Sequence, residues 1–226
     1  MKLSVIIPVY NEEATLREIL RRVRATTVEK EIVIVDDCST DSTREILEDE
    51  AKVGDLRVFY QPCNQGKGAA VRVALAQATG DVVIVQDADL EYDPGDYPTL
   101  LEPIIKGETK VVYGSRFINK PQAIFFLYLM GNNFLTQIAN IIYGARLTDL
   151  QTCYKVFTAE VAKKITFRSD GFDFDPEVTA RIFKMGYHIK EVPVSYSARS
   201  ISEGKKNSWR NGLSALLTLV KYRFVD

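Results

Sequence analysis

Three carboxylates fall within five residues at Asp87, Asp89 and Glu91, directly after the apolar tetrad Val82–Val85. A polar turn after a buried strand can present alternate side chains to one side. Carboxylates so placed suit Mg²⁺ or Mn²⁺, hard cations that take oxygen ligands and share them with substrate phosphates. A solvated acidic turn capping the next helix has the same composition. A second acidic pair, Asp36-Asp37, follows another apolar run and favours the metal reading. One carboxylate of that pair can accept hydrogen bonds from a base or ribose. The other can close an Asx-turn, with Asp41 and Ser42 capping the next helix. Gln65-Gly66-Lys67-Gly68 lacks the spacing of a Walker loop, but it can open a helix and set Lys67 near a nucleotide's phosphates.

The elements that position these residues alternate. Leu3–Val9, Glu31–Val35, Arg57–Tyr60, Val82–Val85 and Val111–Tyr113 are short apolar runs. Between them Leu16, Ile19, Leu20 and Val23, then Ile46 and Leu47, then Val71, Ala74, Leu75 and Ala78, then Tyr97, Leu100, Leu101, Ile104 and Ile105 recur at helical spacing. Continuous apolar strands between amphipathic helices predict an α/β fold, a mostly parallel sheet covered on both faces. Ligands then bind beyond the carboxyl ends of the strands. The residues there are Tyr10, Asn11 and Glu12; Asp36 and Asp37; Gln61 and Asn64; Asp87 and Asp89; and Gly114, Ser115 and Arg116. All should line one rim.

The bulk composition narrows the chemistry. With 226 residues and no linker or repeat, the chain reads as one domain; its net charge of -1 gives no reason to expect a nucleic-acid partner. The single histidine, His188, makes a Ser-His-Asp triad and most zinc hydrolases poor readings, so any metal rests on oxygen ligands. Cys38, Cys63 and Cys153 are scattered and read as reduced thiols of a cytoplasmic protein. The N-terminal apolar run is broken by Pro8 and followed by Asn11, Glu12 and Glu13, unlike a signal peptide. Residues 121–145 are uncharged but carry Asn132, Asn133, Thr136, Gln137 and Asn140, which a lipid-facing span would not tolerate.

Beyond Arg116 two helical stripes appear. Phe134, Leu135, Ile138, Ile141 and Ile142 form one, with the five amide and hydroxyl residues just named opposite it. Trp209, Leu213, Leu216, Leu217, Val220 and Phe224 form the other, beside Lys205, Lys206, Arg210, Lys221 and Arg223. An apolar stripe beside basic residues suits docking on an anionic membrane surface, although most amphipathic helices pack on their own core. Ser200, Ser202, Gly204 and Asn207 give the segment between Arg199 and Lys206 the composition of a loop able to close over a phosphate.

Taken in order, Ser4-Val5-Ile6-Ile7-Pro8-Val9-Tyr10-Asn11-Glu12, Val33-Ile34-Val35-Asp36-Asp37, Asn64-Gln65-Gly66-Lys67-Gly68, Asp87-Ala88-Asp89-Leu90 and Gly114-Ser115-Arg116 resemble family-2 glycosyltransferases. Asp149-Leu150-Gln151-Thr152-Cys153-Tyr154-Lys155 and Arg199 through Glu203-Gly204-Lys205 are similar to the later motifs of one branch, the dolichyl-phosphate mannose synthases and polyprenyl-phosphate glucosyltransferases. The resemblance implies a GT-A fold and an inverting transfer. Residues 1–118 would bind the nucleotide sugar, UDP-glucose or GDP-mannose, and 119–226 the acceptor. Pro8, Tyr10, Glu12 and Asp37 would hold the nucleoside, with Asp87 closing that pocket and reaching the metal. Asp89 would be the principal metal ligand, and Glu91 stands where the synthases commonly have a Gln. Arg116, Arg199 and Lys205 would meet phosphates. Thr152-Cys153-Tyr154 departs from a commoner Ser/Thr-Gly-Phe/Tyr pattern. The chain ends at Asp226 without the transmembrane helices many relatives append, which leaves room for a separate membrane partner.

A polyprenyl phosphate acceptor, with a second pKa of about 6 by analogy with phosphorylated side chains, is already anionic near neutrality and needs no general base. A sugar hydroxyl, as in wall or capsule synthesis, would need one; Asp149, Asp175 and Glu177 are the candidates on the acceptor side, next to Gln151. The phosphate is the simpler acceptor and implies a peripheral position on the inner face of the membrane. A non-catalytic sensor of nucleotide sugars is a third reading.

Overall fold

The Val- and Ile-rich runs form the middle of a seven-stranded sheet. In β1 (Leu3–Val9), β2 (Lys30–Asp36) and β4 (Val82–Val85) nearly every side chain is buried, because helices cover both faces and leave no polar side for alternation to mark. The structure, a computed structural model, describes residues 1–118, 126–199 and 209–225. Its remaining strands are β3 (Leu56–Tyr60), β5 (Val111–Ser115), β6 (Lys155–Thr158) and β7 (Ile189–Pro193).

The sheet order is β3-β2-β1-β4-β6-β5-β7. All neighbours run parallel except β6, which is antiparallel to both β4 and β5. One sheet therefore spans the boundary at 118/119, since β6 comes from the later half and lies between two strands of the earlier one. From β1 the chain winds outward through α1 (Leu16–Ala25), β2 and α2 (Thr43–Ala51) to β3. The helix α3 (Lys67–Gln77) then returns it to β4 on the other side of β1. The winding direction reverses between β1 and β4, which opens a crevice beyond their carboxyl ends. The helix α4 (Tyr97–Ile105) leads into β5. These elements match the sequence-predicted α/β architecture.

The later helices are α5 (Phe126–Tyr143), α6 (Ala159–Lys164), α7 (Phe174–Lys184) and α8 (Trp209–Phe224). In α5 the expected orientation holds in part, with Leu135 buried, Ile138 packed on the core and Asn133 and Gln137 exposed, and is otherwise corrected. Asn132 and Thr136 are buried, while Phe134 is 60% and Ile141 81% exposed. Asn132, Thr136 and Asn140 are spaced by four and serve the backbone of the loop before β6. Asn132 Nδ2 donates to Asp149 Oδ1 (3.1 Å) and its Oδ1 accepts from Gln151 N (3.2 Å). Thr136 Oγ1 accepts from Leu150 N (3.2 Å), and Asn140 exchanges two bonds with Leu147. That loop forms no ladder of its own, and buried N–H groups need partners, so Asn132, Thr136 and Asn140 turn inward. In α8 the buried face is Ala215, Thr218, Leu219 and Tyr222, whereas Leu213, Leu217, Val220 and Phe224 are exposed. Tyr143 Oη of α5 donates to the Leu219 carbonyl of α8 (2.8 Å). Among the described residues no helix is long and apolar enough to cross a membrane.

Candidate active site

Beyond the ends of β1, β2 and β4 lies a cavity of about 400 Å³ bordered by Pro8, Tyr10, Glu12, Asp37, Lys67, Asp87, Asp89, Glu91, Arg116, Gln151, Asp175 and Arg199. Among the described residues, the three non-glycine residues with left-handed backbone, Asn11 (φ 53°), Cys38 (φ 62°) and Leu90 (φ 62°), all lie in the loops leaving these strands. Such conformations persist only where surrounding bonds hold them. Around Asn11, the Ser39 hydroxyl accepts from its N–H (3.0 Å) and its own side-chain oxygen accepts from Thr40 N (2.7 Å). At Leu90, Asp89 Oδ1 accepts from Glu91 N (3.1 Å), closing the turn that sets Asp89 and Glu91 on the cavity wall.

The two carboxylates of Asp36-Asp37 divide their work. Asp36 closes the turn, accepting from the Ser39 hydroxyl (2.5 Å) and N–H, and Asp41 Oδ1 accepts from Thr43 N (3.0 Å) at the start of α2. Asp37, 3% exposed, accepts from Gln61 Nε2 (2.9 Å), Gln65 N (2.8 Å) and Gly66 N (2.7 Å). It thereby ties the 61–66 loop to the cavity wall and satisfies N–H groups at the start of α3, where a negative charge also meets the helix dipole. The two glycines of the Gln65–Gly68 run answer a packing need. A Cβ on Gly66 (φ +102°) would sit 2.4 Å from the Asp170 carbonyl, and one on Gly68 would sit 2.3 Å from that of Ser169.

Each carboxylate of the Asp87–Glu91 turn faces its own partner. Asp87 meets Lys67 Nζ at 2.7 Å. Burial opposes charge on both, but the pairing prevails: it draws the carboxyl down and pushes the ammonium well up. Asp89 meets Arg199 Nη2 at 2.9 Å. Burial, and then repulsion from Asp87 and Glu91, push the Asp89 carboxyl up to about 6 in spite of that arginine. Glu91 accepts from the Tyr196 hydroxyl (2.9 Å) and from Arg199 N (2.9 Å). Among the described residues no group of three carboxylate, Cys or His side chains forms a ready cation cage. The donor set still fits a divalent ion. It is oxygen only, negative charge is in excess at Asp89, and Mg²⁺ or Mn²⁺ can complete its ligands with waters and substrate phosphates.

Opposite the acidic turn stands Arg116, just past β5. Its Nε and Nη2 each lie 2.7 Å from an oxygen of Asp149, whose side chain is fully buried. Burial works against the Arg116 charge, and Asp149 overrides it, keeping the guanidinium charged. The ring of Tyr196 lies 5.1 Å from its carbon.

The acceptor-side candidates separate. Asp149 is corrected from a possible base to the anchor of Arg116: it accepts two bonds from the guanidinium, a third from the Arg116 N–H and a fourth from Asn132. Glu177, fully buried, is likewise corrected. It accepts from Arg168 N, Ser169 N and Arg181 and does not border the cavity. Asp175 and Gln151 do border it, but Asp175 pairs with the buried Lys155 at 2.6 Å. Lys205 and Lys206 lie outside the described residues. Sequence reasoning missed Tyr92, Asn132, Phe172 and Tyr196 on the cavity wall. Of these only Asn132 left a signal, in the four-residue spacing of its polar stripe. Cys153, noted as a departure, is buried on the same wall, where burial pushes its thiol well up.

The mostly parallel sheet thus carries an acidic turn after β4, at its switch point, and a charged arginine after β5, both on one cavity of an α/β scaffold. This chain belongs to glycosyl transferase family 2, whose model matches residues 4–166. Over 98% of its length it is 30% identical to the low-salt glycan biosynthesis hexosyltransferase Agl6 of Haloferax volcanii. Over 91% it is 27% identical to the undecaprenyl-phosphate mannosyltransferase of Micrococcus luteus, and it covers 87% of that protein. The chain spans 55% of the length of Agl6 and 63% of that of another Haloferax relative, glycosyltransferase AglJ. Among solved structures, glucosyl-3-phosphoglycerate synthase from Mycobacterium tuberculosis, in complex with Mn²⁺, UDP and glucosyl-3-phosphoglycerate, superposes with a TM-score of 0.75 at 20% identity. The match covers 100% of this chain and 81% of that one. The likeness gives the fold, which is GT-A.

Proposed function

We propose that the chain is an inverting hexosyltransferase that moves a sugar from a nucleotide diphosphate donor to a polyprenyl phosphate, with a divalent ion at Asp89. The observation that carries this reading is one cavity in which acidic side chains (Glu12, Asp87, Asp89, Glu91) face a charged arginine (Arg116). The names of the relatives support a hexosyl donor and a lipid phosphate acceptor.

In this reading Pro8, Tyr10, Glu12 and Asp37 border the nucleoside. Lys67 holds Asp87 charged and in place. Asp89, with Asp87 and Glu91 near, would hold Mg²⁺ or Mn²⁺, which when bound neutralises the charge building on the leaving nucleotide. Arg116, held by Asp149, presents its charge to a phosphate without having to reorganise. The acceptor phosphate is itself anionic, so the step requires no general base. That suits a cavity which neither Glu177 nor Asp149 borders and on which Asp175 is already ion-paired. UDP-glucose and GDP-mannose both suit the site.

The outward faces of α5 and α8 fit a peripheral position on the inner membrane surface. Phe134, Ile141, Leu217 and Phe224 are all at least 60% exposed. Lys221 and Arg223 stand in the last turn of α8, so apolar area and positive charge adjoin, as interfacial helices require. A separate membrane protein is a further partner for this face. The test is transfer of labelled sugar to undecaprenyl or dolichyl phosphate in anionic vesicles with Mn²⁺. Label should enter the organic phase and be lost with chelator; label in water-soluble oligosaccharide instead would refute the lipid acceptor.

A further inference from the structure

The guanidinium of Arg199, which the family resemblance would set on a phosphate, lies against the acidic turn instead. Arg199 Nη2 lies 2.9 Å from Asp89 Oδ2 and 3.3 Å from Glu12 Oε1, while its Nη1 lies 3.1 Å from Glu12 Oε2. The segment after β7 that carries it is tied to the same turn: Glu91 Oε1 accepts from Arg199 N, Glu91 O accepts from Ser197 N (2.8 Å), and the Tyr196 hydroxyl donates to Glu91. The Arg199 side chain is 19% exposed, sheltered from water so that its charge is felt strongly by its neighbours.

We infer that Arg199 is the internal counter-cation of the metal site. It neutralises Asp89 while no donor is bound, competes there with a free divalent ion, and is displaced when the ion arrives with a diphosphate. The inference rests on the proposed function and adds an order of events to it. The physical argument is one of exclusion. A Mg²⁺-sized ion on Asp89 would stand about 2.1 Å from the carboxylate oxygen, beside a guanidinium nitrogen on that same oxygen, and two cations so close repel strongly. A diphosphate alters the balance because it brings negative charge that both cations can share. Once released, the guanidinium remains within a side chain's reach of the phosphates. Metal without donor is thereby held off, and the positive charge that reaches the phosphates is set free only when they are present.

The experiment is Mn²⁺ binding, followed by electron paramagnetic resonance, to the wild type, Arg199→Gln, Arg199→Lys and Asp89→Asn. Each is measured without nucleotide and with saturating UDP or GDP, after melting curves have shown the variants folded. Arg199→Gln should bind Mn²⁺ at least about tenfold more tightly than wild type when nucleotide is absent. The gap should narrow with nucleotide, Arg199→Lys should stay near wild type, and Asp89→Asn should lose the site. Equal or weaker Mn²⁺ binding by Arg199→Gln without nucleotide overturns the inference and leaves the proposed function standing. Absence of Mn²⁺ binding by every protein even with nucleotide overturns the metal reading itself.

Discussion

Asp149→Asn separates a structural from a chemical role more sharply than any other substitution at this site. The wild-type side chain is fully buried and takes both 2.7 Å bonds from Arg116, together with the 3.1 Å bond from Asn132. Replacing the carboxylate by an amide keeps the volume but leaves Arg116 facing an NH₂ group, with an uncompensated buried charge. Breaking such a pair on one side costs about 3–5 kcal/mol. Arg116 retains 14% exposure toward the cavity, which places the expected loss near the lower end, about 3 kcal/mol. For a chain of this size that corresponds to a melting temperature about 6–12 °C lower. Arg116→Met combined with Asp149→Leu removes both charges and should recover most of the loss. Differential scanning calorimetry and urea titration give the numbers. If Asp149→Asn melted within about 1 °C of wild type while turnover collapsed, Asp149 would be acting on substrate, and the anchoring argument would be wrong.

Two further outcomes are expected. Phe134→Glu and Leu217→Glu alter side chains 60% and 62% exposed; each should change stability by less than about 0.5 kcal/mol yet reduce flotation with anionic vesicles, and unchanged flotation would argue for a protein partner on that face. Glu31 gives a pH signature. Burial raises its carboxyl pKa, but bonds from Ser4 Oγ (2.5 Å), Thr79 N (2.6 Å) and Thr79 Oγ1 (2.7 Å) outweigh that and bring it to about 2. The folded value lies below the ordinary one, so the stabilisation is fully present above about pH 4.5 and fades as pH falls toward 2; it amounts to about 3 kcal/mol. The stability gap between wild type and Glu31→Gln should therefore be largest at neutrality and roughly halved near pH 3, whereas a gap constant with pH would remove the carboxylate's role.

The strands that border the cavity were legible where burial on both faces leaves no polar residue to interrupt them: Val82–Val85 and Val111–Tyr113 read directly as strands. The strand β6 was not. It begins with Lys155, which is fully buried because Asp175 and two backbone carbonyls accept its ammonium. A lysine that opens a buried strand breaks the pattern that identifies strands. The α5 helix misled for a related reason. Hydrophobicity places Phe134 and Ile141 inside, but in the loop at 147–151 the N–H groups of Leu147, Leu150 and Gln151 are taken by Asn140, Thr136 and Asn132, and hydrogen-bond need brought these three inward. Among the carboxylates, sequence order places Asp87, Asp89 and Glu91 together, since one turn carries them. It could not show that Asp149 belongs to Arg116 and Glu177 to the 168–169 backbone, because those partners are set by the tertiary fold.

The central claim is that a divalent ion joins Asp89 to the donor's diphosphate. It is tested most directly by thermal shift with UDP-glucose and GDP-mannose, with Mn²⁺ or chelator, on wild type and Asp89→Asn. A donor at about a hundred times its dissociation constant stabilises by about 2.7 kcal/mol, which should raise the wild-type melting temperature by about 5–10 °C. Chelation should abolish most of this rise, and Asp89→Asn should show no Mn²⁺-dependent increment. An Asp89→Asn protein with the full Mn²⁺-dependent rise, or a wild type whose donor-induced rise survives chelation intact, would contradict it.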